Sequence, residues 1–173
     1  MPLIFREYAL LVSESVAAHP SVQRVRAKLQ ELAVVGEIKI LEDSARSARE
    51  AADALGVEVG QICSSLIFAV AGAPILILTS GRHRVDTQLV AKRLGVPKLE
   101  RADADLVRTA TGFAIGGVAP IAHATSIATY IDSALGEHEV VWAAAGHPHA
   151  VFPTTFAELV GITGAEVIEV AEE

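Results

Sequence analysis

The chain has 173 residues, 51% of them hydrophobic and 20% charged, with a formal net charge of −7. These values are typical of one folded domain and exclude an intrinsically disordered chain. The negative charge argues against general DNA binding, and the longest apolar run is broken by Gly72 and Pro74, so no segment spans a bilayer. The amino terminus does not resemble a signal peptide, and the single cysteine excludes an internal disulfide or a cysteine-based zinc site. We expect a soluble, cytoplasmic protein without a DNA or membrane partner.

The basic residues are unevenly distributed. All 14 Lys and Arg residues lie at or before Arg108, and residues 82–108 hold seven of them beside four carboxylates. A locally basic face of this kind can contact a phosphate backbone. Solvated helix faces produce the same pattern, so charge alone does not decide between the two.

Two helices and a strand are predicted in the first quarter of the chain. Residues 3–17 are expected to form a helix that covers the body of the domain. From Pro20 onward apolar residues recur at helical spacing up to Leu32, and Gly36 ends this unit. The alternation in "EIKIL" (residues 37–41) then predicts a strand with Ile38 and Ile40 on one side.

A capping box and a hairpin are predicted next. Ser47 and Glu50 have the spacing at which each side chain bonds the other residue's backbone N–H, which opens a helix that Gly56 stops. The apolar runs "CSSLIFAV" and "ILILT" are separated by residues 71–74, which contain Gly and Pro. This pattern predicts a hairpin of two buried strands.

The second half continues to alternate helix and strand signals. The segment 84–94 is predicted to be a helix ended by Gly95, and Asp103 is expected to cap the helix before the glycine loop. Later, "TSIATYID", "EVVWAAAG" and "AEVIEVA" predict strands, with a second capping box at Thr155 and Glu158. The sequence thus predicts a single mixed α+β domain with a central sheet surrounded by helices, and not a Rossmann fold.

The segment "TGFAIGGVAPIAH" (residues 111–123) contains three glycines, a proline and a histidine. It matches neither GxxxxGK[ST] nor GxGxxG, and Pro120 discourages an immediate helix, so a nucleotide-phosphate loop is rejected. Paired glycines such as Gly116 and Gly117 can instead direct backbone N–H groups at an oxyanion, with His123 at the rim. A tight glycine turn with a hydrogen-bonded histidine is the alternative.

Three further constellations carry weaker signals. Ser64, His123 and Asp132 could form a triad, but no GxSxG elbow surrounds the serine. His147 and His149 form an HxH pair without a visible third ligand for a metal. The polar turn at residues 80–86 offers arginines for a phosphate, or is simply the start of a helix with an acidic first turn.

The ordered set of motifs resembles the YbaK/ProRS-associated domain family, the trans-editing aminoacyl-tRNA deacylases. Its members carry segments similar to "SAREAADALGVEVGQI", "LTSGRHRVD", "ERADADLVRTATGFAIGGVAP", "VVWAAAGHPHAVF" and "AELVGITGAEV", in this order. The resemblance covers residues 21–173 and leaves residues 1–20 as an amino-terminal helical extension. It implies a mixed, barrel-like central sheet surrounded by helices and a pocket at its middle.

The resemblance also implies an activity, which is hydrolysis of the ester that joins a wrong amino acid to tRNA. The implied partners are mischarged aminoacyl-tRNA and an aminoacyl-tRNA synthetase, and no cofactor or metal is implied. The catalytic residues would be Gly116, Gly117, His123 and Ser64. The residues expected to bind the substrate are Thr111, Phe113, Ile115, Val118, Pro120, Gly146 and His147, and those expected to bind tRNA are Arg82, Arg84, Lys92 and Arg93.

One departure from the family pattern affects the predicted chemistry. Relatives resemble "QIxKSLxF" where this chain has residues 61–68, so the usual lysine is replaced by Ser64. A serine cannot supply the charge or the reach of a lysine. Lys39 and Lys92 are candidate replacements from elsewhere in the chain. The alternative function is a non-catalytic paralogue that binds an aminoacyl group, an amino acid or tRNA, and a third is a metal-free esterase for a small substrate.

Overall fold

A computed structural model describes residues 3–172, which form six α-helices, eight β-strands and two short 3₁₀ turns. The helices are α1 (Leu3–Ala17), α2 (Pro20–Glu31), α3 (Ala48–Leu55), α4 (Thr87–Leu94), α5 (Ala104–Thr111) and α6 (Phe156–Thr163). The strands are β1 (Lys39–Ile40), β2 (Ile62–Val70), β3 (Ala73–Ser80), β4 (Glu100–Arg101), β5 (Ala128–Asp132), β6 (Val141–His147), β7 (Ala150–Thr154) and β8 (Glu166–Ile168). The 3₁₀ turns span Val59–Gln61 and Ser133–Glu137.

The strands form one mixed sheet in the order β1-β7-β6-β2-β3-β5-β8, with β4 beside β2. The long hairpin of β2 and β3 is antiparallel, as predicted, whereas β6 runs parallel to β2 and β5 runs parallel to β3. The mixed central sheet with surrounding helices is therefore confirmed. Within residues 3–172 the strand order runs from β1 at one end to β8 at the other.

Both faces of the central hairpin are buried, which explains its unbroken apolar sequence. Along β3, Leu76 and Leu78 join the larger core beneath α2, α5 and α6, while Ile75 and Ile77 join a second core beneath α4. Successive side chains of a strand point to opposite faces, so an apolar residue is needed at every position. The sheet is thus the middle layer between two groups of helices.

The predicted helix ends are largely confirmed. The side chain of Ser47 accepts from the Glu50 N–H in a complete capping box, and Gly56 ends α3 in the left-handed conformation with φ of 68°. The box predicted at the start of α6 forms only in part. Thr155 accepts from the Glu158 N–H, but the Glu158 carboxylate instead accepts from the Thr154 hydroxyl at 2.6 Å.

Helix α1 has the predicted bounds, but the prediction that it covers the body is wrong. Only Val16 of this helix is buried. Six large apolar side chains of this helix are 60–76% exposed, so most of its apolar surface is not covered by the rest of the described chain. These are Leu3, Ile4, Phe5, Tyr8, Leu10 and Leu11. Within residues 3–172, no helix is both long enough and apolar enough to cross a membrane.

Two strands were not predicted. Strand β4 has only two residues, too few to give a periodic signal. Strand β7 contains Pro153. A proline ordinarily argues against a strand, because it has no backbone N–H to donate to a neighbouring strand. Here β1 pairs only with Val151 and Ala150, so Pro153 lies beyond the end of the β1 ladder, where no strand hydrogen bond from its nitrogen is required.

Candidate active site

The sheet forks at β2, and the fork creates a cavity. Residues 62–63 of β2 pair with β6, whereas residues 68–69 pair with β4. Both partners lie on the edge of β2 opposite β3. Among the described strands, Ser64, Ser65 and Leu66 have no partner on that edge. The fork therefore leaves backbone polar groups of β2 open to a ligand.

A cavity of about 270 Å³ opens at this fork. Its floor is residues 62–67 of β2, and its walls come from the start of α3, from β6 and β4 and from the glycine loop. From the loop it receives Ile115, Gly116 and Val118, and from the end of β6 and the turn after it His147 and Pro148. Five of the predicted site residues thus meet here: Ser64, Ile115, Gly116, Val118 and His147.

Gly116 and Gly117, the two neighbouring glycines of the loop, have different structural roles. Gly116 has φ of 92°, a left-handed conformation that favours glycine, and it lies at the cavity surface. The Gly117 N–H donates to the Ala114 carbonyl at 3.1 Å, which closes a turn. A Cβ on Gly117 would lie 2.9 Å from the His147 nitrogen and 3.0 Å from the Gly146 carbonyl carbon. Gly117 therefore permits the loop to touch the end of β6, and its N–H is already engaged.

Gly146, like Gly117, permits a close backbone approach, here on the other side of β6. Its φ is 94°, and a Cβ there would lie 2.7 Å from the Ser21 carbonyl oxygen at the start of α2. The pairing of β6 with β7 shifts register between Ala144 and His147, which marks an irregularity at this point. Gly146 is thus a packing residue between α2 and the loop, and it orients the neighbouring His147 towards the cavity.

His147 is held as a neutral hydrogen-bond donor. The His149 backbone N–H donates to His147 Nδ1 at 3.1 Å, so a neutral ring carries its proton on Nε2. Burial, followed by the neighbouring His19 and His149 rings, holds the pKa of His147 below its ordinary value. A donor that stays neutral near pH 7 can hydrogen-bond a carbonyl oxygen in this cavity.

The same hydrogen bonds argue against a metal at the HxH pair. His19 Nδ1 also accepts a backbone N–H, from Ser21 at 3.2 Å, and His149 Nδ1 donates to the Leu41 carbonyl at 2.9 Å. His19 and His147 therefore have no second lone pair to offer an ion while their rings are neutral. Within residues 3–172, no group of three or more His, Cys, Asp or Glu side chains could hold a metal ion.

Ser64 lines the cavity and is half-buried, but its neighbour Cys63 is not a nucleophile candidate. Burial, with a smaller contribution from the charge of Asp132, raises the pKa of the Cys63 thiol to about 12. The thiolate is the reactive form of cysteine, so this buried thiol is inert near neutral pH. Neither Lys39 nor Lys92 lines the cavity, so no lysine replaces the one that the resemblance implies.

Several predicted site residues lie outside this cavity. Thr111 is fully buried, and its hydroxyl donates to the Val107 carbonyl at 2.6 Å and accepts from the Phe113 N–H at 3.0 Å. Phe113 is buried in the core, with 1% of its surface exposed. Pro120 and His123 line a second cavity on the other side of the loop. Thus the motif contributes its first half to one cavity and its second half to another.

The triad considered from the sequence is not assembled. His123 Nε2 lies 2.7 Å from the Ala119 carbonyl and donates to it. Asp132 is buried and contacts His83 Nδ1 at 2.8 Å, the Ser80 N–H at 3.1 Å and the Ala134 N–H at 3.0 Å. Asp132 therefore joins β3, β5 and the following turn, and it does not orient His123. In the turn at residues 80–86, Asp86 caps α4, which supports the interpretation as a helix start.

Two of the four basic residues predicted to bind tRNA are neutralised by carboxylates. Arg82 forms a two-pronged ion pair with Glu137, at 2.7 and 2.8 Å, and Arg93 forms an ion pair with Glu169. Arg84 and Lys92 are exposed and have no carboxylate partner within residues 3–172. The partners of Arg82 and Arg93 are distant in sequence, so the sequence gives no signal for these pairs.

Sequence reasoning missed the two cations at the cavity itself. Arg46 and Arg101 both line the cavity and both are exposed, and neither guanidinium forms an ion pair in the described part of the chain, although the Arg46 backbone N–H donates to the Glu50 carboxylate at 2.7 Å. Arg46 precedes the α3 capping box, and Arg101 lies on the two-residue strand β4 that forms one arm of the fork. Only the tertiary structure brings them together, because no spacing rule links positions 46 and 101.

This fold and cavity define an editing-type domain. The chain belongs to the aminoacyl-tRNA editing domain family, whose model matches residues 42–162. A solved structure of a protein proposed to be a trans-editing enzyme for prolyl-tRNA synthetase is 40% identical, with a TM-score of 0.82, over 90% of this chain and 99% of that one. The uncharacterized protein YwhH of Bacillus subtilis (strain 168) is 28% identical over 140 residues, 80% of this chain and 88% of that protein.

The family relation extends to part of a synthetase. Proline–tRNA ligase of Staphylococcus aureus (strain Newman) is 30% identical over 83 residues, which are 48% of this chain. The matched segment is only 15% of the ligase, so the similarity concerns a small part of that enzyme.

Proposed function

We propose that this protein is a trans-acting aminoacyl-tRNA deacylase, which hydrolyses the ester of mischarged tRNA and thereby protects translation fidelity. The observation that carries the proposal is the cavity at the fork, which joins an open strand edge, the Gly116 turn and His147. Membership of the editing-domain family and the similarity to the protein proposed to edit for prolyl-tRNA synthetase support the same reaction.

The size of the cavity favours a small aminoacyl group as the bound part of the substrate. Its volume is about 270 Å³. Pockets for drug-sized ligands have roughly 300–1,000 Å³, so this one is too small to enclose a nucleotide as well. The aminoacyl group would enter the cavity, and the terminal ribose and phosphates of the tRNA would remain at its rim.

The reaction needs charge stabilisation more than a nucleophilic side chain. A water oxygen adds to the ester carbonyl carbon and gives up a proton, the bond to the ribose oxygen breaks, and the proton lost by the water balances the one that the ribose oxygen takes up. The Gly116 N–H and the His147 Nε2–H are the donors proposed for the developing oxyanion, and the Ser64 hydroxyl is proposed to orient the water. Because an ester is already labile, positioning and backbone donors can suffice. Gly117 acts through its small size, and His123 acts by holding the loop through the Ala119 carbonyl.

Arg46 and Arg101 are the groups proposed to bind the acceptor end of the tRNA. Within residues 3–172 neither guanidinium forms an ion pair, and both lie at the cavity, where they would supply the positive charge that Ser64 lacks. Guanidinium groups bind phosphate oxygens in a forked geometry. Arg84 and Lys92 are further candidates for contact with the acceptor stem. The proposed location is the cytoplasm, and an aminoacyl-tRNA synthetase that releases mischarged tRNA is the proposed second partner.

The decisive experiment is a deacylation assay over a panel of mischarged tRNAs, with correctly charged tRNA as control. We expect at least one member to be hydrolysed about a hundredfold faster than in buffer alone. If every tRNA decays at the rate seen in buffer, the proposed catalysis is wrong. Tight binding of a non-hydrolysable aminoacyl-tRNA analogue without turnover would identify the non-catalytic paralogue instead. Equal hydrolysis of small aminoacyl esters and tRNA would identify a general esterase.

A further inference from the structure

A second cavity, of about 660 Å³, lies between α2, the second half of the glycine loop, the start of β5 and the end of α6. It shares no lining residue with the cavity at the fork. Its lining contains the hydroxyl groups of Thr125, Ser126, Thr129 and Thr163. The three threonine hydroxyls donate to backbone carbonyls at 2.6–3.0 Å, which leaves the Ser126 hydroxyl as the available donor among the four. It also contains the basic residues Arg24, Lys28 and His123 and a single carboxylate, Glu31.

Arg24 is an exposed residue whose guanidinium makes two contacts at this cavity. The centre of its guanidinium lies 4.2 Å from the centroid of the buried Phe113 ring, and Nη2 donates to the Thr111 carbonyl at 3.3 Å. Gly112 leaves room for the group, since a Cβ there would lie 2.9 Å from Nη2. The guanidinium has five N–H donors, and the Thr111 carbonyl is the one hydrogen-bond acceptor it meets within residues 3–172. A positioned cation with free donors is thus presented without a carboxylate partner.

The remaining charges in the cavity leave it positive. Lys28 Nζ bonds Glu31 Oε1 at 2.9 Å, an exposed pair of low energy that an incoming anion can rearrange. With His123 neutral, two cations and one carboxylate give the lining a formal charge of +1. This local charge is opposite in sign to the net charge of −7 of the whole chain. A positive, hydroxyl-lined cavity on an acidic protein favours an anionic ligand.

We infer that the second cavity binds a phosphate group, with the Arg24 guanidinium as its main ligand and the Lys28 ammonium and the Ser126 hydroxyl as additional donors. The planar fork of an arginine matches two phosphate oxygens, and the ammonium and the serine hydroxyl can donate to the others. Two sources share this chemistry, a phosphodiester of single-stranded RNA and a small phosphorylated molecule. The RNA source rests on the proposed function, whereas the phosphate site itself does not.

The test measures binding of two probes by isothermal titration calorimetry at low ionic strength. The probes are inorganic phosphate and a short, non-acylated single-stranded RNA. For the wild type we expect a phosphate Kd of about 1 mM or below. Arg24→Gln should weaken phosphate binding by about tenfold or more, because hydrogen bonds to charged groups contribute roughly 1.5–3 kcal/mol. Arg24→Lys keeps the charge without the fork and should give an intermediate affinity.

Two further variants test whether the loss of phosphate binding is specific to the second cavity. Arg49→Gln removes an exposed arginine of α3 that lines neither cavity, and it should leave both affinities within about twofold of the wild type. Lys28→Gln changes an exposed pair that contributes little to folding, so it tests the site even if Arg24→Gln does not fold. Lys28→Gln should weaken phosphate binding about threefold.

The outcomes separate the two sources and the two proposals. Loss of both phosphate and RNA binding in Arg24→Gln supports an RNA phosphodiester, and loss of phosphate binding alone supports a small phosphorylated ligand. Absence of saturable phosphate binding, or unchanged affinity in Arg24→Gln and Lys28→Gln, overturns the inference. Because the readout is binding, a protein that binds phosphate through Arg24 but fails to deacylate tRNA refutes only the proposed function.

Discussion

The glycine loop separates two cavities of different chemistry. The cavity at the fork has about 270 Å³ and a mainly apolar lining with two arginines, whereas the second has about 660 Å³ and a lining in which hydroxyl and charged side chains are interspersed with apolar ones. The loop gives Gly116 to the first and His123 to the second. Electrostatic interactions are stronger in a small, mainly apolar cavity than in water, which favours bond breaking there. A wider cavity with more polar side chains favours recognition of a ligand. One contiguous motif, the glycine loop, therefore lines two cavities with different chemistry.

The largest expected effect comes from Gly117→Ala. The added Cβ would meet backbone atoms of Gly146 and His147 at 2.9–3.0 Å, so the loop or the end of β6 must shift. Displacement of catalytic groups by about 1 Å can lower a rate about a hundredfold, and we expect a loss of deacylation of that size. Overpacking should also cost about 1–3 kcal/mol of unfolding free energy, measurable by urea denaturation.

The control for this prediction is Gly161→Ala. A Cβ at Gly161, inside α6, meets no atom within 4 Å, so activity should be unchanged and the helix stabilised by about 0.5–1 kcal/mol. Phosphate binding in the second cavity should survive Gly117→Ala within about twofold, because the displaced atoms lie on the other face. Equal loss of both functions would show that the two cavities are one coupled site.

The second largest effect is expected from Arg46→Gln combined with Arg101→Gln. Removal of the two cations at the cavity should lower kcat/KM for mischarged tRNA by about ten- to thirtyfold, mainly through KM, since each contact to phosphate is charge-assisted. The dependence of KM on salt should also become shallower, because fewer counterions are released. Arg49→Gln, three residues after Arg46 and outside the cavity lining, is the matched control. A double variant with the wild-type KM and salt slope would remove these arginines from the tRNA site.

The third prediction concerns acid stability and the histidine of the second cavity. Burial, as the main cause, holds the pKa of His123 below its ordinary value, and the charge of Arg24 acts in the same direction. The unfolded chain therefore takes up a proton near pH 6.5, before the folded protein does. Stability from this residue is complete above that pH and falls as the pH drops from 6.5 towards the folded pKa.

Urea midpoints measured from pH 7.5 to pH 5 check this sign. In His123→Gln the slope of the unfolding free energy against pH should become shallower, by at most about the slope that the uptake of one proton produces. Part of the slope should remain, because the pKa of His147 is lowered as well, chiefly by burial. His147→Gln should remove a separate part of it. An unaltered slope in both variants would mean that neither ring stays neutral in the folded protein.

The contrast between the cavities also marks the limit of what the sequence predicts. Local signals located the helices, as at Ser47 and Gly56, and the apolar hairpin, because each depends on neighbours in the chain. The fork depends on β2 changing partners from β6 to a two-residue strand, which leaves no pattern in the sequence. The ion pair of Arg82 with Glu137 spans 55 positions and the pair of Arg93 with Glu169 spans 76. Such pairings arise only from the tertiary structure.

The smallest expected effect comes from Ser64, the residue that replaces the lysine of the family pattern. If Arg46 and Arg101 supply the charge at the cavity, Ser64→Ala removes one neutral hydrogen bond and lowers kcat/KM only about two- to fivefold. On the same argument Ser64→Lys gives no gain, since it adds a third cation beside two arginines and fills part of a cavity of about 270 Å³. A gain in deacylation of about tenfold in Ser64→Lys would show that a charge is missing at the strand edge itself. The arginines at the cavity would then bind tRNA without replacing the lysine.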